Sequence, residues 1–213
     1  MNTKIVILDF DGTLGDTTAV ITRTTQATIK ELGLPSRTDE ECASMIGLRL
    51  VEIPPVLFPG LEVDVNLYAA TYRRLFHIFN SEGAVQLYPN VYETLKELKN
   101  RGLILTIASS RSNASLEEYI NNLGLSPFVT YFLGANDVTE GKPAPEAVNR
   151  TLAHFGLKPE EAIVVGDTVF DVQMGKNAGT YTCGVTYGNG SRESLAEANW
   201  LLDDFGQLLD IVR

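Results

Sequence analysis

The sequence predicts an α/β fold: a doubly wound parallel sheet carrying an inserted, all-helical segment. Three observations predict it. Five short apolar runs rich in β-branched residues recur along the chain, and helical stretches with their own stop signals lie between them. One block, residues 16–83, breaks that alternation and reads as helical with no good strand. The length of 213 residues allows one large domain or a domain with an insertion, and 44% hydrophobic against 21% charged residues gives it a core to bury.

Taken in order, residues 4–10 form the first run, in which Ile5, Val6, Ile7 and Leu8 are continuous, as a strand buried on both faces requires. Residues 17–32 then read as a helix stopped at Gly33, before Pro35. The stretch 53–60 holds Pro54, Pro55 and Pro59 and accommodates no long regular helix. Residues 64–80 make a second helix with Tyr68, Tyr72, Leu75 and Phe79 on one stripe. Pro89 serves as a first-turn proline for a helix with Val91, Leu95 and Leu98 on its inner face and Gly102 as its stop. Residues 103–108 are the second strand, and a helix over 115–123 ends at Gly124. Residues 129–133 are the third. After Pro145, Val148, Leu152 and Phe155 recur at i, i+4 and i+7 before Gly156. Residues 162–165 and 181–185 complete the set of strands. The predicted organisation is an α/β core of residues 1–15 and 84–213 with a helical cap of residues 16–83. A parallel sheet binds ligands at the carboxyl ends of its strands, so an insertion leaving from that end sits over the site as a lid.

Charge and cysteine content exclude several classes. The 17 basic and 27 acidic residues leave a formal charge of −10, which repels phosphate backbones and anionic lipid, so neither nucleic acid nor a membrane surface is an expected partner. Cys42 and Cys183 lie far apart with no CxxC spacing, against a disulfide scaffold or zinc ribbon. No apolar stretch approaches the ~18 residues of a membrane span. The first apolar run stops at Asp9 after four residues, unlike a signal peptide, and the expected location is the cytoplasm.

The strand ends concentrate the chemistry. The first runs into Asp9-Phe10-Asp11-Gly12-Thr13, and two carboxylates at the tip of a buried strand are costly without a cation or hydrogen-bond donors. Asp-Gly on its own is also a common turn dipeptide. The second strand ends in Ser109-Ser110-Arg111, where a lone serine would ordinarily be a helix N-cap. Lys142 stands in Gly141-Lys142-Pro143-Ala144-Pro145, whose prolines restrict its direction; a lone loop lysine would simply be solvated. The fourth strand runs into Gly166-Asp167, with Asp171 four residues on; Asp171 alone could cap a helix. Acids, hydroxyl, lysine and acids again, each at a strand end or loop of one sheet, point together to a single site.

These residues resemble the motifs of the haloacid dehalogenase superfamily of phosphohydrolases, and the resemblance covers essentially the whole chain. Asp9, Asp11, Gly12 and Thr13 match its DxDGT motif, Ser109 its strand-two hydroxyl, Lys142 its G-K-P-x-P loop, and Gly166, Asp167 and Asp171 its GDxxxD pattern. The resemblance implies that Asp9 is a nucleophile forming an aspartyl-phosphate, and that Asp11 protonates the leaving oxygen and then activates water. It implies Mg²⁺ held by Asp9, the backbone carbonyl of Asp11 and Asp167, with Asp171 beside or behind them. Lys142 and Ser109 would hold the phosphoryl oxygens, and Ser110 and Arg111 are candidate substrate contacts.

The same resemblance separates branches. Carbon–halogen hydrolases of this fold lack the second acid and the metal site. Sugar-phosphate mutases of the family carry a cap-helix histidine where this chain has Ile21, and a lysine where it has Ile46. Residues 45–50 and Tyr88-Pro89-Asn90-Val91 look most like the phosphoglycolate-phosphatase branch, which shares much of its pattern with a pyrophosphatase branch. Arg49 is the cap residue nominated to contact a substrate carboxylate or second phosphate, while His77 is assigned to the packed face or edge of its helix. The implied function is Mg²⁺-dependent hydrolysis of a small phosphorylated metabolite, phosphoglycolate first, with pyrophosphate or a sugar phosphate as alternatives. The sequence leaves oligomeric state open. A phosphoacceptor signalling domain also uses an acidic pair, a hydroxyl and a lysine, but it lacks the DxDGT spacing and the insertion after strand one. An inert binding protein on this fold would not need the full set of acids.

Overall fold

Strand β1 (Ile5–Leu8) has no accessible surface at any of its four residues, and the other elements are arranged around it. The structure is a computed structural model that describes residues 2–80 and 85–212. After β1 the chain forms a two-residue strand β2 (Gly15–Asp16) and then four helices: α1 (Thr18–Glu31), α2 (Asp39–Ala43), α3 (Ile53–Leu57) and α4 (Val65–Phe79). It returns through β3 (Gln86–Leu87). There follow α5 (Val91–Asn100), β4 (Ile104–Ala108), α6 (Asn113–Asn122), β5 (Val129–Leu133), α7 (Glu146–Phe155), β6 (Ala162–Gly166), α8 (Val169–Asn177), β7 (Tyr181–Val185), β8 (Trp200–Leu202) and α9 (Leu208–Ile211).

The main sheet has the order β5-β4-β1-β6-β7-β8, and every pairing is parallel. Its two-residue side-chain period divides the core. Val6 and Leu8 point into a cluster with Leu95, Leu98, Leu116 and Phe205, beneath α5, α6 and the C-terminal turns. Ile5 and Ile7 point the other way, toward Val148, Leu152 and Met174 of α7 and α8. This is the expected doubly wound sheet.

The helical segment has its own core of Ile29, Cys42, Ile53, Leu57, Phe58 and Tyr68. Helices α1 and α4 pack side by side, joined at the surface by Arg74 and Glu31. Asp64 starts α4 by accepting hydrogen bonds from the amides of Asn66 and Leu67.

The sequence reading differs from the structure in short elements. Residue 16 belongs to β2, which pairs antiparallel with β3 (Gly15 opposite Leu87, Asp16 opposite Gln86), so the outgoing and returning chains lie side by side. The expected return of the chain to the core at residue 84 falls outside the described residues. The proline-rich connection holds no long helix, as expected, but it does form the five-residue α3, because Pro54 and Pro55 occupy first-turn positions where an amide hydrogen has no helical partner. Pro89 is not the first-turn residue of α5: it precedes the N-cap Asn90, whose φ is +64°. Helix α6 begins two residues earlier than predicted, with Ser112 at its N-cap. The stop at Gly156 is a left-handed C-cap with φ +63°. Among the described residues no helix is long and apolar enough to cross a membrane.

Candidate active site

Register assembles the site. Leu8 lies opposite Ile107 and Val165, so the tips of β1, β4 and β6 finish level and present Asp9, Ser109 and Asp167 at one edge of the sheet. Asp9, Asp11, Ser109, Lys142, Asp167 and Asp171 are all buried. Asp9, Asp167 and Asp171 each offer a carboxylate oxygen, and these oxygens lie within 4.8 Å of one another.

Lys142 Nζ donates to Asp9 Oδ1 at 2.5 Å and to Asp171 Oδ1 at 2.6 Å. The other oxygen of Asp171 accepts from the Thr168 amide at 3.0 Å and the Thr168 hydroxyl at 2.6 Å. Asp171 is thus the third residue of α8, bonded back to the N-cap Thr168, and is not itself the cap. Asp167 Oδ2 accepts from the backbone and side-chain nitrogens of Asn189 at 2.7 and 2.8 Å. The Thr13 hydroxyl reaches Asp167 Oδ1 at 3.2 Å and Asp9 Oδ2 at 3.4 Å.

Three buried carboxylates face one buried ammonium. Burial holds the Asp9 carboxyl well above the usual range, with Asp171 and Asp167 adding to the effect and Lys142 opposing it. Burial, aided by Asp171, pushes Asp167 up to about 7 against the hydrogen bonds from Asn189 and Thr13. Burial works against the Lys142 charge, but Asp171 and Asp9 outweigh it and raise its pKa. An all-oxygen cluster with charge left over fits a hard divalent cation such as Mg²⁺, with Asp9, Asp167 and Asp171 as the side chains able to hold it.

The second acid has a different environment. Arg111 donates through Nε and Nη2 to Asp11 Oδ1 at 3.0 and 2.7 Å, and through Nη1 to Ser115 at 2.9 Å. Its guanidinium also lies over the rings of Tyr119, at 4.6 Å, and Phe76, at 5.1 Å. Ser109 Oγ accepts the Arg111 amide at 3.2 Å. Ser110 donates to the Gly47 carbonyl at 2.5 Å, tying the helical segment to the end of β4. Arg49 makes the companion contact: Nη1 donates to the Thr139 carbonyl at 2.9 Å, while Nε and Nη2 grip Glu52 Oε1 at 2.8 and 2.5 Å. A cavity of about 550 Å³ opens between Asp9 and Asp11 on the core side and α1, α4 and residues 45–51 on the other. His77 lines it from an exposed position on α4.

Sequence reasoning did not place Asn189, Thr168 or Arg111's grip on Asp11. Asn189 comes from Gly188-Asn189-Gly190, beyond β7, and a Gly-Asn-Gly turn at a strand's carboxyl end was the one available signal. Gly12 is required for two reasons. Its φ is +87°, and a Cβ there would collide with Asp167 Oδ2 and Asn189 Nδ2.

Known proteins are similar to this chain in sequence and in fold. The family described as haloacid dehalogenase-like hydrolase matches residues 6–185. Pyrophosphatase PpaX of Listeria innocua is 31% identical over 212 residues, covering 98% of this chain and 95% of that protein. Phosphoglycolate phosphatase of Vibrio cholerae is 30% identical over 218 residues, covering 98% and 96%. Among solved structures, a haloacid dehalogenase-like hydrolase from Bacteroides fragilis shares the fold with a TM-score of 0.90 at 24% identity, over 97% of this chain and 99% of that one. A structure from Haemophilus somnus, described as a predicted phosphoglycolate phosphatase, superposes with a TM-score of 0.86 at 25% identity, over 99% and 98%.

Proposed function

The chain belongs to the haloacid dehalogenase-like hydrolase family, and from that premise we propose that it is a Mg²⁺-dependent phosphatase working through an aspartyl-phosphate on Asp9. The observation that carries the proposal is the buried Asp9 carboxylate at the tip of β1, held by Lys142 with Asp167 and Asp171 alongside. Asp9 attacks phosphorus, and the bond from phosphorus to the leaving oxygen breaks. Asp11 delivers the proton that the leaving oxygen takes up. Water then attacks the acyl-phosphate, Asp11 accepts its proton, and inorganic phosphate departs as the Asp9 carboxylate is restored. Lys142 and the Ser109 hydroxyl are placed to stabilise the phosphoryl oxygens. Bound Mg²⁺, held by the side chains of Asp9, Asp167 and Asp171 with the carbonyl of Asp11, would offset the repulsion between carboxylate and phosphate. Arg111 orients Asp11, and the helices α1 to α4 serve as a lid that excludes bulk water.

The substrate is a small phosphorylated metabolite. The relatives' names make phosphoglycolate and pyrophosphate the two compounds to set against a panel of phosphate esters. The test of the mechanism is mass spectrometry of acid-quenched protein after mixing with an activated phosphoryl donor and Mg²⁺. Asp11→Asn should carry an added phosphoryl mass, its hydrolysis slowed by about 10²–10⁴, and Asp9→Asn should carry none. Phosphate mapped to Asp11 or Ser109, or full turnover in EDTA, would overturn the assignment.

A further inference from the structure

The cavity beyond Asp9 is much larger than a phosphoryl group, and most of its far wall carries no charge. Its 550 Å³ corresponds to the room of roughly eighteen waters at liquid density. Compact anions such as phosphoglycolate or pyrophosphate would leave about half of it to solvent. Ile21, Ile46, Leu48, Leu50, Tyr72 and Phe76 line the side that the helical segment contributes. That side is fastened over the site, because Ser110 holds Gly47 and Arg49 holds the Thr139 carbonyl.

Two of the cations along this lining are already paired. Arg49 is neutralised by Glu52 and Arg111 by Asp11. Glu118 adds a further carboxylate to the wall. Among the described residues the other basic side chains on the lining are Arg73 and His77, one turn apart on α4 and both exposed. A second anionic group buried against the apolar part of the wall would find as unpaired basic side chains only the exposed Arg73 and His77, whereas burial of a charge demands a close partner. An apolar group would gain from the same surface.

We propose that the preferred substrate is a phosphate monoester whose alcohol is a neutral, largely apolar chain or ring, seated against Ile21, Ile46, Leu48 and Phe76. The proposal rests on the phosphatase reading above and narrows its substrate class.

The experiment compares kcat/KM, with Mg²⁺, for ethyl, butyl and hexyl phosphate, phosphoglycolate and pyrophosphate. A fully buried methylene is worth about a fourfold rise. Hexyl phosphate should therefore exceed ethyl phosphate by on the order of a hundredfold and exceed both compact anions. A flat or falling series, with phosphoglycolate or pyrophosphate the better substrate, overturns the proposal and leaves the phosphatase reading standing. Hydrolysis of none of these compounds overturns that reading and the proposal with it. Ile21→Lys sets a cation in the wall, and should lower the preference for hexyl phosphate over phosphoglycolate at least tenfold. Should that variant not fold, inhibition of the unaltered protein decides. Hexylphosphonate should bind more tightly than phosphonoacetate, and the reverse order refutes the proposal.

Discussion

Asp167→Asn in metal-free protein separates the stability of the site from its function. Asp167 has no accessible surface, and burial beside Asp171 raises its pKa from 3.8 to about 7. The sign follows from linkage. A carboxylate whose folded pKa is raised binds its proton more tightly when folded, so its contribution is intact below the unfolded pKa and is lost as pH climbs through the folded one. The rise from 3.8 to about 7 corresponds to about 4 kcal/mol lost by pH 8, less than half of it by pH 5. Asparagine keeps an oxygen for the two Asn189 donors, at 2.7 and 2.8 Å, and never ionises. Urea denaturation in EDTA should therefore show Asp167→Asn gaining on the unaltered protein by roughly 2–3 kcal/mol between pH 5 and pH 8. Adding Mg²⁺ at pH 8 should stabilise the unaltered protein and leave the variant nearly unmoved, with activity lost. A stability difference that does not change with pH would refute the electrostatic account of the cluster.

Other perturbations address single contacts. Gly12→Ala forces a side chain into a left-handed turn against Asp167 and Asn189; chemical denaturation should show a loss of about 1–3 kcal/mol, and Mg²⁺ titration of activity should show weakened affinity. Arg111→Met leaves the buried Asp11 without its partner; stability at neutral pH should fall by about 3–5 kcal/mol, with kcat reduced more than KM changes. Phe58→Ala opens the small core of the helical segment; a loss of about 3–5 kcal/mol should appear first as faster proteolysis within residues 16–80, before the sheet melts.

Five of the strands were legible because each is a short run rich in apolar and β-branched residues. Residues 129–133 and 181–185 match their strands at both ends. The helices were legible from inner-face spacing and glycine stops, as with Val148, Leu152 and Gly156. Elements of two or three residues were not, because Gly15–Asp16, Gln86–Leu87 and Trp200–Leu202 are too short to show a period. At the site, Asp9, Asp11, Lys142, Asp167 and Asp171 were visible because their spacing and loop context mark them. Their partners were not. Asp11 meets Arg111 and Asp167 meets Asn189 through tertiary folding alone. Nor was the partner of Arg49, which the sequence nominated for a substrate anion and which the structure pairs with Glu52.

Strand β1 lies between β4 and β6, so its neighbours are made long after it during synthesis. Asp9 is 133 residues from Lys142, Thr13 is 154 from Asp167, and Thr13's carbonyl receives the Tyr187 hydroxyl 174 residues away. Contacts so distant along the chain close slowly and late. A nascent chain carries its nucleophile from the outset, yet its carboxylate cluster is complete only once β6, α8 and the Asn189 turn have left the ribosome. Catalysis therefore reports completed folding, and a translation product truncated before residue 189 should be inert however well its helical segment forms.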